Sequence, residues 1–246
     1  MAGSGGGSGP SGDRPDSAPA IGAELDRIEA AIGAGERRLG AVGFWRVVRR
    51  LKLDPASAEA FAERVGRIDR EAFERTVRVR IPVPIGNAAL ALGMLVGALA
   101  IVVAIEVTNP TVAAVALLAS AAILSVSVHD LAHWAAGRAA GIRFVAYFPG
   151  GPLRIQPGLK TDYASYLRAR PEARAAMHAS GALASKAAPF VSLAFSPASH
   201  AAGWAFWAVL GFGLAQIVTD VVWSTKRSDW KRARRERAIA RELGGA

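Results

Sequence analysis

The sequence predicts an all-α integral membrane protein with four transmembrane helices, a cytosolic N-terminal helical hairpin and a short β-hairpin between spans 2 and 3. Three observations predict it. Long uncharged stretches alternate with Arg-rich ones in a chain of 246 residues that is 52% hydrophobic with a formal net charge of +10. One stretch, 111–137, opens with 18 residues carrying no charge, long enough to cross a bilayer as a helix. The basic residues are also segregated: 14 fall in 1–83, seven in 138–174 and eight in 226–241, while the short loops 108–110 and 198–201 hold none. Positive-inside placement puts both termini and the central loop in the cytoplasm of a multi-pass cell-membrane protein. An even number of spans demands the same arrangement. The lipid bilayer is therefore the expected partner, and no nucleic-acid partner is expected, because the excess base flanks apolar spans.

Residues 1–20 are Gly, Ser and Pro-rich and read as a disordered tail, with too few apolar side chains for a core. Residues 21–83 read as a soluble cytosolic helical region. Ile21, Leu25, Ile28 and Ile32 make one apolar stripe, continued loosely through Leu39, Phe44 and Val47. Asp54 and Pro55 form a helix start, and Phe61, Val65, Ile68 and Ala72 make the next stripe. Positions 77–84 are expected to be an extended lead-in.

A four-span membrane domain is expected over 84–225, with spans near 85–107, 111–137, within 175–198, and 202–223. Gly93 and Gly97 form a GxxxG that admits a neighbouring helix. Strand-like segments 142–148 and 153–156 flank Pro149, Gly150, Gly151 and Pro152, which predicts the hairpin. Residues 226–246 read as a basic juxtamembrane helix with Trp230 as interface anchor.

Chemistry gathers late in the second span, at His129, Asp130 and His133. Residues four apart share a helical face, so the two imidazoles stand one above the other with an acid beside them. That spacing lets one helix offer two nitrogen ligands and a general base to zinc. With no cysteine in the chain, any metal must use His, Asp or Glu. A catalytic zinc site needs a third protein ligand, and Glu106, Asp162, His178, Asp220 and Asp229 are the candidates. Helical rise favours Asp220. From 111, His129 lies 18 residues along its span; from 202, Asp220 lies 18 along the fourth, roughly 27 Å in each case. Asp229 would fall roughly 13 Å further out on a continuous helix. Gln216, one turn before Asp220, is a candidate to hold that carboxylate or a substrate amide. Lys186, mid-way along the third span, must snorkel, pair with an acid or act on substrate. Ser185 and Gly181 make a small-residue pair that admits the second helix.

These features resemble the site-2 protease family of intramembrane zinc metalloproteases. The resemblance rests on His129-Asp130-Leu131-Ala132-His133 late in one span, an acid about ninety residues later, and small residues at 180–184 between them. It covers about 85–230. It implies one zinc ion on His129, His133 and Asp220, with Asp130 as general base; Gln216, Lys186 and Ser185, by their places on the neighbouring spans, are the candidates to stand beside the substrate. It further implies that the strand region 142–156 offers an edge to an unwound transmembrane protein or peptide substrate. Four positions depart from the family pattern: Asp130 replaces a longer Glu, Ala182 and Ser185 stand where Pro and Asn are usual, and Val221 follows Asp220 where Gly is usual. The expected function is peptide hydrolysis within the membrane near the cytoplasmic face. A pseudoprotease that holds membrane segments or metal, and an ion or metal transporter, are the alternatives.

Overall fold

The computed structural model describes residues 18–150, 156–222 and 228–244. The expected tail at 1–20 therefore lies outside the described residues, except for its last three positions. Those open the first helix, α1 (Ala18–Gly33). The N-terminal region is a packed trio rather than a hairpin: α1 is followed by α2 (Phe44–Leu53) and α3 (Pro55–Thr76). Two glycines explain the extra break. Gly35 and Gly43 sit at φ 105° and 81°, a left-handed backbone that side chains avoid, so the chain turns before Phe44. Asp54 caps α3 by accepting from the Ala56 amide, with Pro55 at the first helical position. Such a cap stabilises a helix by about 1 kcal/mol. Both expected stripes point inward: Ile21, Leu25, Ile28 and Ile32 pack on Phe44, Val47, Val65, Ile68 and Ala72.

From Thr76 the chain runs extended to Ile81, which makes an antiparallel bridge to Tyr147, and then enters α4 (Val83–Glu106). Asn109 caps α5 (Pro110–Ala139) by accepting from the Thr111 and Val112 amides. The two helices touch closely because Gly93 and Gly97 face Ser127 and Leu124. A Cβ on Gly93 would come within 2.3 Å of Ser127 Oγ, and one on Gly97 within 2.7 Å of the Leu124 side chain. Among the described residues, α4 and α5 are the two helices long and apolar enough to cross a membrane. At 30 residues α5 is roughly 45 Å long, so it outruns a hydrocarbon core of about 30 Å. Its surplus is the His129 end.

A two-stranded antiparallel sheet follows, β1 (Phe144–Gly150) with β2 (Gln156–Thr161). The second strand starts where the sequence reading ended it, and the residues of the turn lie outside the described ones. Next come α6 (Tyr163–Arg168), α7 (Pro171–Ala194) and α8 (Trp204–Val222). The last helix, α9 (Asp229–Gly244), is basic as expected, yet it buries Ala233 and Glu236. It packs on α7 and touches α2. Large apolar side chains are exposed on four of the helices, among them Leu92, Leu95 and Leu99 on α4, Val115 on α5, Leu183 and Val191 on α7, and Trp207, Leu214 and Val218 on α8.

Candidate metal centre

His129, Asp130 and His133 lie where α5 leaves the apolar zone, and their ligand atoms fall within 4.8 Å of one another. The neighbouring helix fixes both rings. His133 Nδ1 is 2.6 Å from the Met177 carbonyl oxygen on α7. A carbonyl can only accept, so Nδ1 carries a proton, and in the neutral ring Nε2 presents a lone pair. On the other ring, Ser185 Oγ donates to the Ala182 carbonyl, 3.3 Å away, which leaves its oxygen to accept from His129 Nδ1 at 3.3 Å. With Nδ1 protonated in the neutral ring, His129 Nε2 is then also a lone pair. Gly181 makes this contact possible, because a Cβ there would lie 2.3 Å from His133 Nε2. Ser180 Oγ, donating to the Ala132 carbonyl at 3.0 Å, ties the same two helices one turn away.

The third group is Asp229, the first residue of α9. Its Oδ2 is 3.3 Å from His129 Nε2 and 3.3 Å from His133 Nε2. The two Nε2 atoms and a carboxylate oxygen thus converge, an arrangement that either a proton on Nε2, donated to Asp229, or a cation bound by all three atoms would hold together. The spacing fits a cation. Donors at the corners of a tetrahedron with bonds of about 2.0–2.1 Å stand roughly 3.3–3.4 Å apart. Each imidazole also gives its far N–H to an oxygen, the usual support for a metal-binding histidine. The His129 side chain is 34% exposed and that of His133 11%, so the centre opens on the His129 side.

Asp130 is buried beside the pair, and among the described residues its Oδ2 has no hydrogen-bond donor. Tyr147 on β1 stands near it: burial first, and the Asp130 carboxylate second, push the Tyr147 phenol above its ordinary pKa. The Tyr147 hydroxyl donates to Asn87 Oδ1 at 2.8 Å. The sheet is thereby tied to α4. On the side of β1 away from β2, the Tyr147 amide and carbonyl are already paired with Ile81, at 2.9 Å in both directions. The strand edge expected to be open is occupied at that residue.

Asp220 is not the residue that meets the histidines. Its Oδ2 lies 2.7 Å from Lys186 Nζ, a pair bridging α8 and α7. The depth argument required an unbroken helix, but α8 ends at Val222 and a separate helix starts at Asp229, so the distance along the chain no longer sets height. Lys186 pairs with an acid, one of its expected fates. Gln216 Nε2 donates to Ser125 Oγ at 3.3 Å, joining α8 to α5 rather than touching Asp220. Of the other third-ligand candidates, Asp162 caps α6 and pairs with Arg70 and Arg143, and His178 Nε2 is 2.9 Å from the Tyr166 hydroxyl. Glu106 ends α4. The signal for Asp229 was available in the sequence: Ser228 and Asp229 form a helix start, and an acid opens a run otherwise dominated by arginine.

No family model, no curated protein and no solved structure matches the chain. What the chain does must come from its own geometry.

Proposed function

We propose that this chain is an intramembrane metalloprotease resembling the site-2 proteases, with a divalent metal, zinc by its donor chemistry, held by His129, His133 and Asp229. The observation that carries the reading is the convergence of two imidazole Nε2 atoms on one Asp229 oxygen, each at 3.3 Å, the separation that donors on tetrahedral zinc also have. When bound, the ion would polarise a scissile carbonyl and make water acidic. Asp130 sits beside the pair with a free oxygen and takes the proton of the attacking water, then returns it to the leaving amine. Met177 and Ser185 hold the two rings in the tautomer that this work needs. The four apolar helices α4, α5, α7 and α8 form the membrane domain, and their exposed Leu, Val and Trp side chains support four spans. With basic residues on the His129 side, the centre faces the cytoplasm, and both termini share that side. Substrates are membrane-embedded protein segments that reach the centre past His129.

One observation favours a second reading, a module that holds metal or a membrane segment without cutting it. Asp130 is one methylene shorter than Glu, and the Tyr147 backbone is already paired with Ile81. Cleavage of a transmembrane peptide by detergent-purified protein separates the two. The protease reading requires turnover by the wild type, its loss in His129→Ala and Asp130→Asn, and metal retained in Asp130→Asn. Metal bound without turnover, unrestored by Asp130→Glu, would establish the second reading instead.

A further inference from the structure

The metal reading leaves one cluster unexplained, and it lies on the same helix as Asp229. Asp229, Ala233 and Glu236 are spaced to share one face of α9, and Ala233 and Glu236 are buried. Glu236 is about two turns, roughly 10 Å, beyond Asp229. Its carboxylate collects donors from three other helices. Oε1 accepts from Lys52 Nζ on α2 and from the Tyr166 hydroxyl on α6 at 2.9 Å, and Oε2 accepts from Arg174 Nε on α7 at 2.7 Å. The Tyr166 proton goes to Glu236, so His178 Nε2–H donates to the Tyr166 oxygen, 2.9 Å away on the α7 side. Lys52 Nζ also lies 4.7 Å from the Tyr166 ring centroid. The side chains of Glu236 and Arg174 are 5% and 3% exposed and that of Lys52 is 11% exposed. This is a desolvated, fully donated carboxylate. The rest of α9 is rich in Lys and Arg, and Glu236 is the acid that it brings to the cations Lys52 and Arg174.

A helix has two freedoms against its neighbours, rotation about its axis and sliding along it. Ala233 gives α9 a close approach and fixes neither. A carboxylate accepting from α2, α6 and α7 at once fixes both. We propose that Glu236 is a positioning residue for the metal ligand Asp229, and that Lys52 makes the N-terminal three-helix unit the lock on that position. The inference rests on the metal reading of His129, His133 and Asp229. It gives the region before the spans a role in the chemistry: when Lys52 is in place Asp229 is held at the two imidazoles, and when it is withdrawn Asp229 is free to leave.

The test is a cobalt(II) titration of the full chain in detergent, read by the visible absorption that distinguishes tetrahedral from six-coordinate cobalt. Four proteins are compared: wild type, Glu236→Gln, Lys52→Met and Lys52→Arg. In Glu236→Gln and Lys52→Met the cobalt Kd should rise about tenfold or more, with weaker tetrahedral absorption, and Lys52→Arg should restore both. Glu236→Gln risks the packing of α9 itself. Lys52→Met leaves Arg174 and Tyr166 on the carboxylate, so it keeps the question open to an answer. Wild-type binding with Kd and spectrum unchanged in Lys52→Met overturns the positioning role alone. Loss in Lys52→Met that Lys52→Arg does not restore also overturns it, since it reports a general loss of structure. Wild-type protein that binds no cobalt overturns the metal reading, and this inference with it.

Discussion

Gly181 has no side chain at the point where the His133 ring lies: a Cβ there would sit 2.3 Å from Nε2 and 2.5 Å from Cδ2. The approach of α7 to α5 is therefore set by the His133 ring, one of the proposed metal ligands. Gly181→Ala should push the ring off the Met177 carbonyl. Overpacking of this kind costs about 1–3 kcal/mol. Loss of the ring's support should weaken zinc binding roughly 10–100-fold, read by competition with a chromogenic chelator. Wild-type zinc affinity in Gly181→Ala would show that the two helices have slack at this point.

Ser185 acts on the other imidazole. Its hydroxyl is the acceptor that keeps the His129 proton on Nδ1. Ser185→Ala should lower zinc affinity by about tenfold while leaving thermal stability nearly unchanged, because one long hydrogen bond contributes little to folding. An unchanged affinity would mean that the ring holds its tautomer without help.

Lys186 and Asp220 should behave as a structural pair. Removing either partner leaves a charge with no counter-ion between α7 and α8, so Lys186→Met and Asp220→Leu should each destabilise the protein. The double variant should recover part of the loss, with a coupling of about 0.5–3 kcal/mol in a double-mutant cycle of unfolding. Turnover per folded molecule should be unchanged in Lys186→Met. A specific loss of turnover would restore a catalytic role for the lysine.

Acid should loosen α9 through Glu236. Burial pushes its pKa up, but the charges of Lys52 and Arg174 and their hydrogen bonds outweigh burial and hold it below the ordinary 4.5. A carboxyl depressed in the folded state contributes stability that is complete above the unfolded value. That contribution is lost as pH falls from 4.5 through the lower folded value. Stability measured by urea unfolding should therefore fall below about pH 4.5 more steeply in wild type than in Glu236→Gln. Equal slopes would show that the charge of this group does not contribute to stability there.

What was legible in the sequence was what period and spacing encode. The stripe of Ile21, Leu25, Ile28 and Ile32 is buried as written, Gly93 and Gly97 face α5, and His129, Asp130 and His133 come together because one helix carries them. The left-handed Gly35 and Gly43 break the region into three helices where the apolar stripes alone read as a hairpin. Asp229 lies beyond what helical period and rise can place. Rise per residue gives depth only along a continuous helix, and α9 is a separate element that folds back on α7. Lys52, the Tyr166–Arg174 stretch and Glu236 lie far apart in sequence, and no local pattern announces their meeting.

Everything turns on which aspartate shares a cation with the two histidines. The direct measurement is the metal content of purified wild type, Asp229→Ala and Asp220→Asn by mass spectrometry of the elements. The geometry predicts one zinc ion in wild type and in Asp220→Asn, and none in Asp229→Ala, because the Asp229 oxygen stands 3.3 Å from both imidazole nitrogens whereas Asp220 pairs with Lys186. Zinc retained by Asp229→Ala, or lost from Asp220→Asn with the fold intact, would contradict the account.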